Sequence, residues 1–81
     1  MRTRLIAEIG ANHLGDIQLA EAMIRAAAQA GADMVKCQSW QARKLRKDFP
    51  DYTVAYERHR RTELSDADHR RLIEVCRRHG V

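Results

Sequence analysis

The sequence predicts an α/β chain, and three observations carry that prediction. Two short apolar runs, Leu5-Ile6-Ala7 and Met34-Val35, have strand character, and each is followed at once by a single charge, Glu8 and Lys36. Between them Ala20, Met23, Ile24 and Ala27 recur at i, i+3, i+4 and i+7, which is one apolar face of a helix packed on a sheet. Only Ala32 and Asp33 separate that helix from the second run, a connection typical of alternating helices and strands. A strand, a helix and a strand with so short a return make a parallel pair joined by a right-handed crossover.

Size and composition narrow the classes. At 81 residues the chain is one domain at most, with a small core and marginal stability. An apolar fraction of 44% and a charged fraction of 32% suit a soluble globular chain, and no apolar run approaches the roughly 20 residues of a membrane span. The N-terminus does not resemble a signal peptide, because Glu8 interrupts the apolar segment that follows Arg2 and Arg4. The expectation is a cytoplasmic protein without a membrane partner. Cys37 and Cys76 have no metal-ligand spacing and are too few for a disulfide framework, so they read as small packing residues. The net charge of +4 and pI near 9.6 attract anions, with nucleic acid and small phosphorylated substrates as the candidates.

In chain order the first strand is expected over 5–9. It breaks at Gly10 into a polar loop, Ala11-Asn12-His13-Leu14, closed by Gly15. Asp16 stands at an N-cap position and Gly31 at a left-handed C-terminal one, which bounds a helix over 17–30. The second strand is expected over 34–38. A long basic loop follows over 39–64, broken by Pro50 and rich in cations from Arg43 to Arg61. A short helix within Tyr52 to Arg61 is conceivable there, but its periodicity is poor. Ser65 and Asp68 look like a capping box for a helix over 66–79, with His69, Leu72, Ile73 and Cys76 as its apolar face. Gly80 ends it, and Val81 is where a third strand would begin. Two strand-helix units of this kind are the first part of a TIM (β/α)8 barrel, incomplete in this 81-residue chain, because such a barrel needs roughly 250 residues. The expected product is an open α/β piece with exposed sheet edges.

The chemistry gathers at the strand ends. Side chains alternate along a strand, so Ile6 shares a face with Glu8, and Lys36 shares one with Gln38. If the two parallel strands end level, Glu8 and Lys36 meet at the carboxyl edge, where α/β proteins bind ligands. A buried ion pair that only neutralises itself is the plain alternative, and Gln38 beside it argues for a ligand's surroundings instead. Other motifs fail: Gly10 and Gly15 lack the Lys and Ser/Thr of a nucleotide-binding loop, and the four histidines share no metal-ligand spacing. No serine or cysteine has a recognisable base partner in the sequence.

Three blocks in this order, AEIGANHLGD, GADMVKCQSW and ELSDADHRRLIEVCRRHGV, resemble the N-terminal part of the barrel domain of the sialic acid (N-acetylneuraminate) synthase family, over essentially all of Leu5 to Val81. The chain departs from the family pattern at Leu14, where many members have a second asparagine, at Cys37, usually phenylalanine, and at Ser39, commonly threonine. The resemblance implies a transferase of carbohydrate biosynthesis that condenses phosphoenolpyruvate with an N-acylated amino sugar of the N-acetylmannosamine type, giving a nonulosonic acid and phosphate. It implies a contact from Lys36 to phosphoenolpyruvate and places Glu8, as the catalytic residue, and Gln38 towards the amino sugar, with Asn12 and His13 as further candidates for lining the site. It also implies a divalent metal, Mn2+ or Mg2+, whose ligands are not on this chain, small-molecule substrates rather than nucleic acid or membrane, and a homodimer at full length. The 81 residues by themselves are expected to be inactive. Two rival readings are an inert truncated fragment of such an enzyme and a small basic nucleic-acid-binding module using the 43–61 stretch and the last helix.

Overall fold

A computed structural model describes residues 2–81. Strand β1 (Ile6–Gly10) and strand β2 (Met34–Cys37) form a parallel two-stranded sheet, and helix α1 (Ile17–Gln29) crosses between them. After β2 the chain makes a single 3-10 turn (Ala42–Lys44), then helix α2 (Tyr52–Thr62) and helix α3 (Asp66–His79). The segment expected as one long basic loop over 39–64 therefore holds an 11-residue helix. Its periodicity is poor because only Ala55 of α2 is buried, so no apolar stripe announces it.

Local chemistry explains the other helices. The Asp16 carboxylate accepts from the Gln18 and Leu19 amides and satisfies two first-turn donors of α1. At the other end Gly31, at φ +95°, lets its own amide and that of Ala32 bond back to the Ala28 and Ala27 carbonyls. In α3 the Ser65 hydroxyl accepts from the Asp68 amide while the Asp68 carboxylate accepts from the Ser65 amide, and Gly80 closes the helix at φ +75°.

One core joins these pieces. Ile9, Ala20, Ile24, Leu64, Leu72 and Val75 are buried together, with Met23, Val35, Cys37 and Cys76 packed around them. The apolar face of α3 is rotated from the expected one: Val75 is buried, whereas Ile73 is 51% exposed beside Arg70 and Arg77. Leu72, Val75 and Cys76 form the stripe that meets α1, and an Arg71–Glu21 ion pair fastens the same two helices. Burial holds the Cys37 and Cys76 thiols above their ordinary pKa, in keeping with packing residues.

The helices cover only one face of the sheet. Ile9, Val35 and Cys37 point into the core, while Ile6, Glu8, Lys36 and Gln38 stay exposed on the other side. The result is a slab of 45 × 27 × 15 Å with a radius of gyration of 14.4 Å, larger than the roughly 12 Å of a compact domain of this length.

The β1–α1 loop also touches α2. A Cβ placed on Gly15, at φ +78°, would lie 2.3 Å from the Arg61 carbonyl oxygen, so only glycine admits this approach. Gly15→Ala combines a left-handed alanine with a backbone collision, and a loss of about 2–4 kcal/mol in urea denaturation is expected. Leu14, 70% exposed at φ +58°, holds a left-handed conformation that asparagine tolerates better. Leu14→Asn is expected to raise stability by about 0.5–1 kcal/mol in the same measurement.

Candidate functional site

The site is built at the carboxyl ends of the two strands. Their start is clamped by Asp33, whose carboxylate accepts from the Leu5 amide at 2.8 Å and from the Arg2 guanidinium at 2.7 Å. Arg2 and the Leu5 amide together hold the Asp33 carboxyl below the usual carboxylate range. From that clamp the register runs Ile6 to Met34, Ala7 to Val35 and Glu8 to Lys36. Glu8 and Lys36 are thus direct partners across the sheet, and Lys36 Nζ lies 3.2 Å from Glu8 Oε2. Among the described residues the pair is open to solvent, unlike the buried ion pair of the plain alternative: the two side chains are 49% and 64% exposed on the bare face. An ion pair so open to solvent contributes less than about 1 kcal/mol, so stability gives it little reason to exist.

Beyond Glu8 the ladder slips by one residue, and Gly10 rather than Ile9 stands opposite Cys37. This bulge keeps Ile9 in the core and sets Gly10, at φ +61°, beneath two polar side chains. A Cβ on Gly10 would lie 3.6 Å from Glu8 Oε1 and 3.7 Å from Gln38 Oε1, so both oxygens converge above this glycine. The Gln38 amide donates to the Gly10 carbonyl at 3.1 Å and carries the pairing one residue past the bulge. Glu8, Lys36 and Gln38 accordingly form one cluster: a carboxylate, an ammonium and an amide on an open sheet edge. Asn12 adjoins it from the β1–α1 loop, exposed and lining a cleft with Gly10 and Gln38.

His13 behaves differently. It is fully buried, so in this conformation it supports the loop and does not line the site with Asn12. Its Nδ1 accepts from the Gly15 amide at 2.9 Å, which leaves the ring proton on Nε2, an atom without a partner among the described residues. Burial, and the nearby His69, hold the His13 pKa below its ordinary value.

Sequence reasoning missed two features. Ser39 does have a histidine partner, since its hydroxyl lies 2.6 Å from His69 Nε2 and His69 Nδ1 lies 2.8 Å from the Ser65 carbonyl. A carbonyl only accepts, so Nδ1 carries the proton and Nε2 accepts from Ser39, tying the exit of β2 to α3. Thirty residues separate the two, and no spacing signals them. The second feature is Arg58, which α2 brings to the cleft that Asn12 and Gln38 line. Its signal, one arginine in a basic stretch, is indistinguishable in sequence from its neighbours.

Among the described residues no three His, Cys, Asp or Glu side chains converge to hold a metal ion, so the residues present do not form the metal site that the resemblance implies. None of the described helices is long and apolar enough to cross a membrane.

The neutral, buried His13 makes stability depend on pH. Its folded pKa lies below its unfolded one, so the unfolded chain binds more protons as pH drops through the ordinary histidine range. Stability is expected to be at its full value above the ordinary histidine range and to fall as pH drops through it. In His13→Asn, which keeps an acceptor at the position of Nδ1, that part of the pH dependence is expected to vanish from urea midpoints measured against pH.

The chain is 36% identical, over 95% of its length, to the N,N'-diacetyllegionaminic acid synthase of Legionella pneumophila, and covers 25% of that protein. It is 28% identical, over 95% of its length, to the pseudaminic acid synthase of Campylobacter jejuni, and covers 26% of that one. A 34-residue stretch, 42% of the chain, is 59% identical to the N-acetylneuraminate-9-phosphate synthase of Mus musculus, of which it covers 10%. The chain thus spans about a quarter or less of the relatives it matches. No solved structure matches it. The NeuB family model matches residues 23–81, and with these relatives it establishes that the chain belongs to the NeuB family, the sialic acid synthases.

Proposed function

We propose that this chain forms the first two strand-helix units of a (β/α)8 barrel and supplies Glu8, Lys36 and Gln38 to a site that joins phosphoenolpyruvate to an N-acylated amino sugar of the N-acetylmannosamine type. The observation that carries the reading is the Glu8–Lys36 pair, 3.2 Å apart at the carboxyl edge, with the Gln38 oxygen converging on the same glycine as the Glu8 carboxylate. A carboxylate, an ammonium and an amide gathered at the carboxyl ends of two strands suit a ligand that carries charge and hydroxyls.

In the reaction, carbon 3 of phosphoenolpyruvate forms a bond to the aldehyde carbon of the open-chain sugar, whose oxygen takes up a proton. Water adds at carbon 2, and the bond from carbon 2 to the phosphate oxygen breaks, releasing inorganic phosphate and leaving the 2-keto acid. Lys36 meets the anionic charge of phosphoenolpyruvate with a fixed ammonium, and Glu8 holds that ammonium in place before the ligand arrives. Glu8 also accepts hydrogen bonds from the sugar hydroxyls and the aldehyde hydrate. Gln38 offers one acceptor and two donors to the same sugar, and Asn12 does so from the adjoining loop. The resemblance points to a divalent metal that polarises the aldehyde; no step is assigned to it on these residues. The complete enzyme is read as a homodimer with the remaining strands closing over the bare sheet face.

The nucleic-acid reading fares less well, because part of the basic stretch is spent on acidic neighbours: Arg46 pairs with Asp48 at 2.6 Å and Arg60 with Glu57 at 3.0 Å. The inert-fragment reading has a direct test. In the complete gene product that carries these residues, Lys36→Ala is expected to raise the Kd for phosphoenolpyruvate about 100-fold, the worth of a strong charge-assisted hydrogen bond. Isothermal titration in which the variant binds as tightly as the parent would remove Lys36 from the site and the assignment with it.

A further inference from the structure

Gln38 is the member of the strand-end cluster with the least sheet beneath it. Strand β2 ends at Cys37, so Gln38 lies one residue past the paired ladder, and its amide bonds to the Gly10 carbonyl at 3.1 Å. Its side-chain oxygen is nevertheless aimed over Gly10, 3.7 Å from where a Cβ would stand. Strand ends open more readily than strand centres, and a side chain there keeps one orientation only if the chain is also held on its far side.

Ser39 holds that far side. Successive side chains of an extended segment point to opposite faces, so Gln38 turns to the bare face and the Ser39 hydroxyl donates to His69 Nε2 of α3, at 2.6 Å. His69 is itself locked. It stands in the first turn of α3, where the Ser65 carbonyl accepts both its backbone amide, at 3.0 Å, and its ring Nδ1–H, at 2.8 Å. Ser65 is the N-cap of that helix and is closed by its reciprocal bonds with Asp68. One ring nitrogen is thus fixed by a carbonyl, and the other is presented as an acceptor from a firm support. The next anchor lies one residue further along: the Trp40 indole N–H donates to the His59 carbonyl at 3.2 Å and to Thr62 Oγ1 at 3.1 Å, both on α2. Trp40 fixes the chain after it has left the strand ends, whereas the Ser39 bond acts on the residue joined to Gln38.

We infer that Ser39 and His69 are positioning residues for Gln38: their hydrogen bond ties the exit of β2 to α3, so that the Gln38 side-chain amide stands over Gly10 before the sugar arrives. The inference rests on the proposed function, in which Gln38 contacts the amino sugar and Lys36 meets phosphoenolpyruvate. Ser39 and His69 act through Gln38 and do not themselves touch the sugar. A hydroxyl is what position 39 has to provide, and threonine provides the same group.

The test is steady-state kinetics of the complete gene product with phosphoenolpyruvate and N-acetylmannosamine. Ser39→Ala and His69→Ala are each expected to raise KM for the sugar about 10-fold, the order of one hydrogen bond, with KM for phosphoenolpyruvate unchanged. Ser39→Thr is expected to keep the parent's values. In a Gln38→Ala background, Ser39→Ala is expected to add nothing, because the partner through which it acts is gone. A merely structural bond would lower the folded fraction, cutting kcat and leaving both KM values alone, and that outcome overturns the inference. So does an unchanged KM in Ser39→Ala, which would leave the positioning to Trp40, an equal rise for both substrates, or effects of Ser39→Ala and Gln38→Ala that simply add. If the parent does not join the two substrates, the proposed function fails by itself, and hydrogen exchange of the Gln38 backbone amide then decides the anchor. Exchange about 10-fold faster in Ser39→Ala, and at the parent's rate in Ser39→Thr, upholds it. Exchange indifferent to Ser39 removes it.

Discussion

The register of β1 against β2 is the constraint on which the rest of the structure depends. Three features set it: the Asp33 clamp on the Leu5 amide, the tight return after α1 and the bulge at Ile9. A slip of one strand by one residue would turn that strand's faces over, sending Glu8 or Lys36 into the apolar core and Ile9 or Val35 out to water. The cost of burying those charges is much larger than any gain from pairing them in another register, so the hydrophobic pattern and the charges enforce the same alignment. The pairing of Glu8 with Lys36 follows from that register rather than causing it.

A second consequence is asymmetry. Both α1 and α3 lie on the face that carries Ile9, Val35 and Cys37, and they bury it well; Ala20 and Ile24 are almost wholly excluded from water. The opposite face holds exposed Ile6 beside the charged cluster, and the outer edges of both strands are unpaired within the sheet. A face that mixes one aliphatic side chain with a carboxylate, an ammonium and an amide is poorly suited to a dry core. It suits an interior where a polar ligand and further strands share the space, as the (β/α)8 reading requires.

The cleft depends on long-range contacts that are each modest. Trp40, Ala42 and Glu63 bring α2 to the exit of β2, and Gly15 lets the opposing loop come close. None of these is an ion pair, yet together they place the Arg58 guanidinium, which has no carboxylate partner among the described residues, near the strand ends. Leu14 occupies a left-handed position on the same rim, which strains a leucine backbone.

The sequence by itself determined what local rules control. Asp16 and the Ser65–Asp68 box set helix starts through their own side chains, Gly31 and Gly80 set helix ends through backbone freedom, and alternation along two short runs put Glu8, Lys36 and Gln38 at one edge. The strand boundaries differ by a residue from those read off the sequence, and the bulge at Ile9 is invisible to alternation. Only the tertiary structure decided that α2 is helical, that Val75 and not Ile73 faces the core, that His13 is buried while Asn12 is open, that Ser39 meets His69, and that Arg58 and Gln38 line one cleft. The physical reason is range: caps and periodicity act over four residues or so, whereas each of these outcomes depends on a surface that the chain supplies from another part of its length.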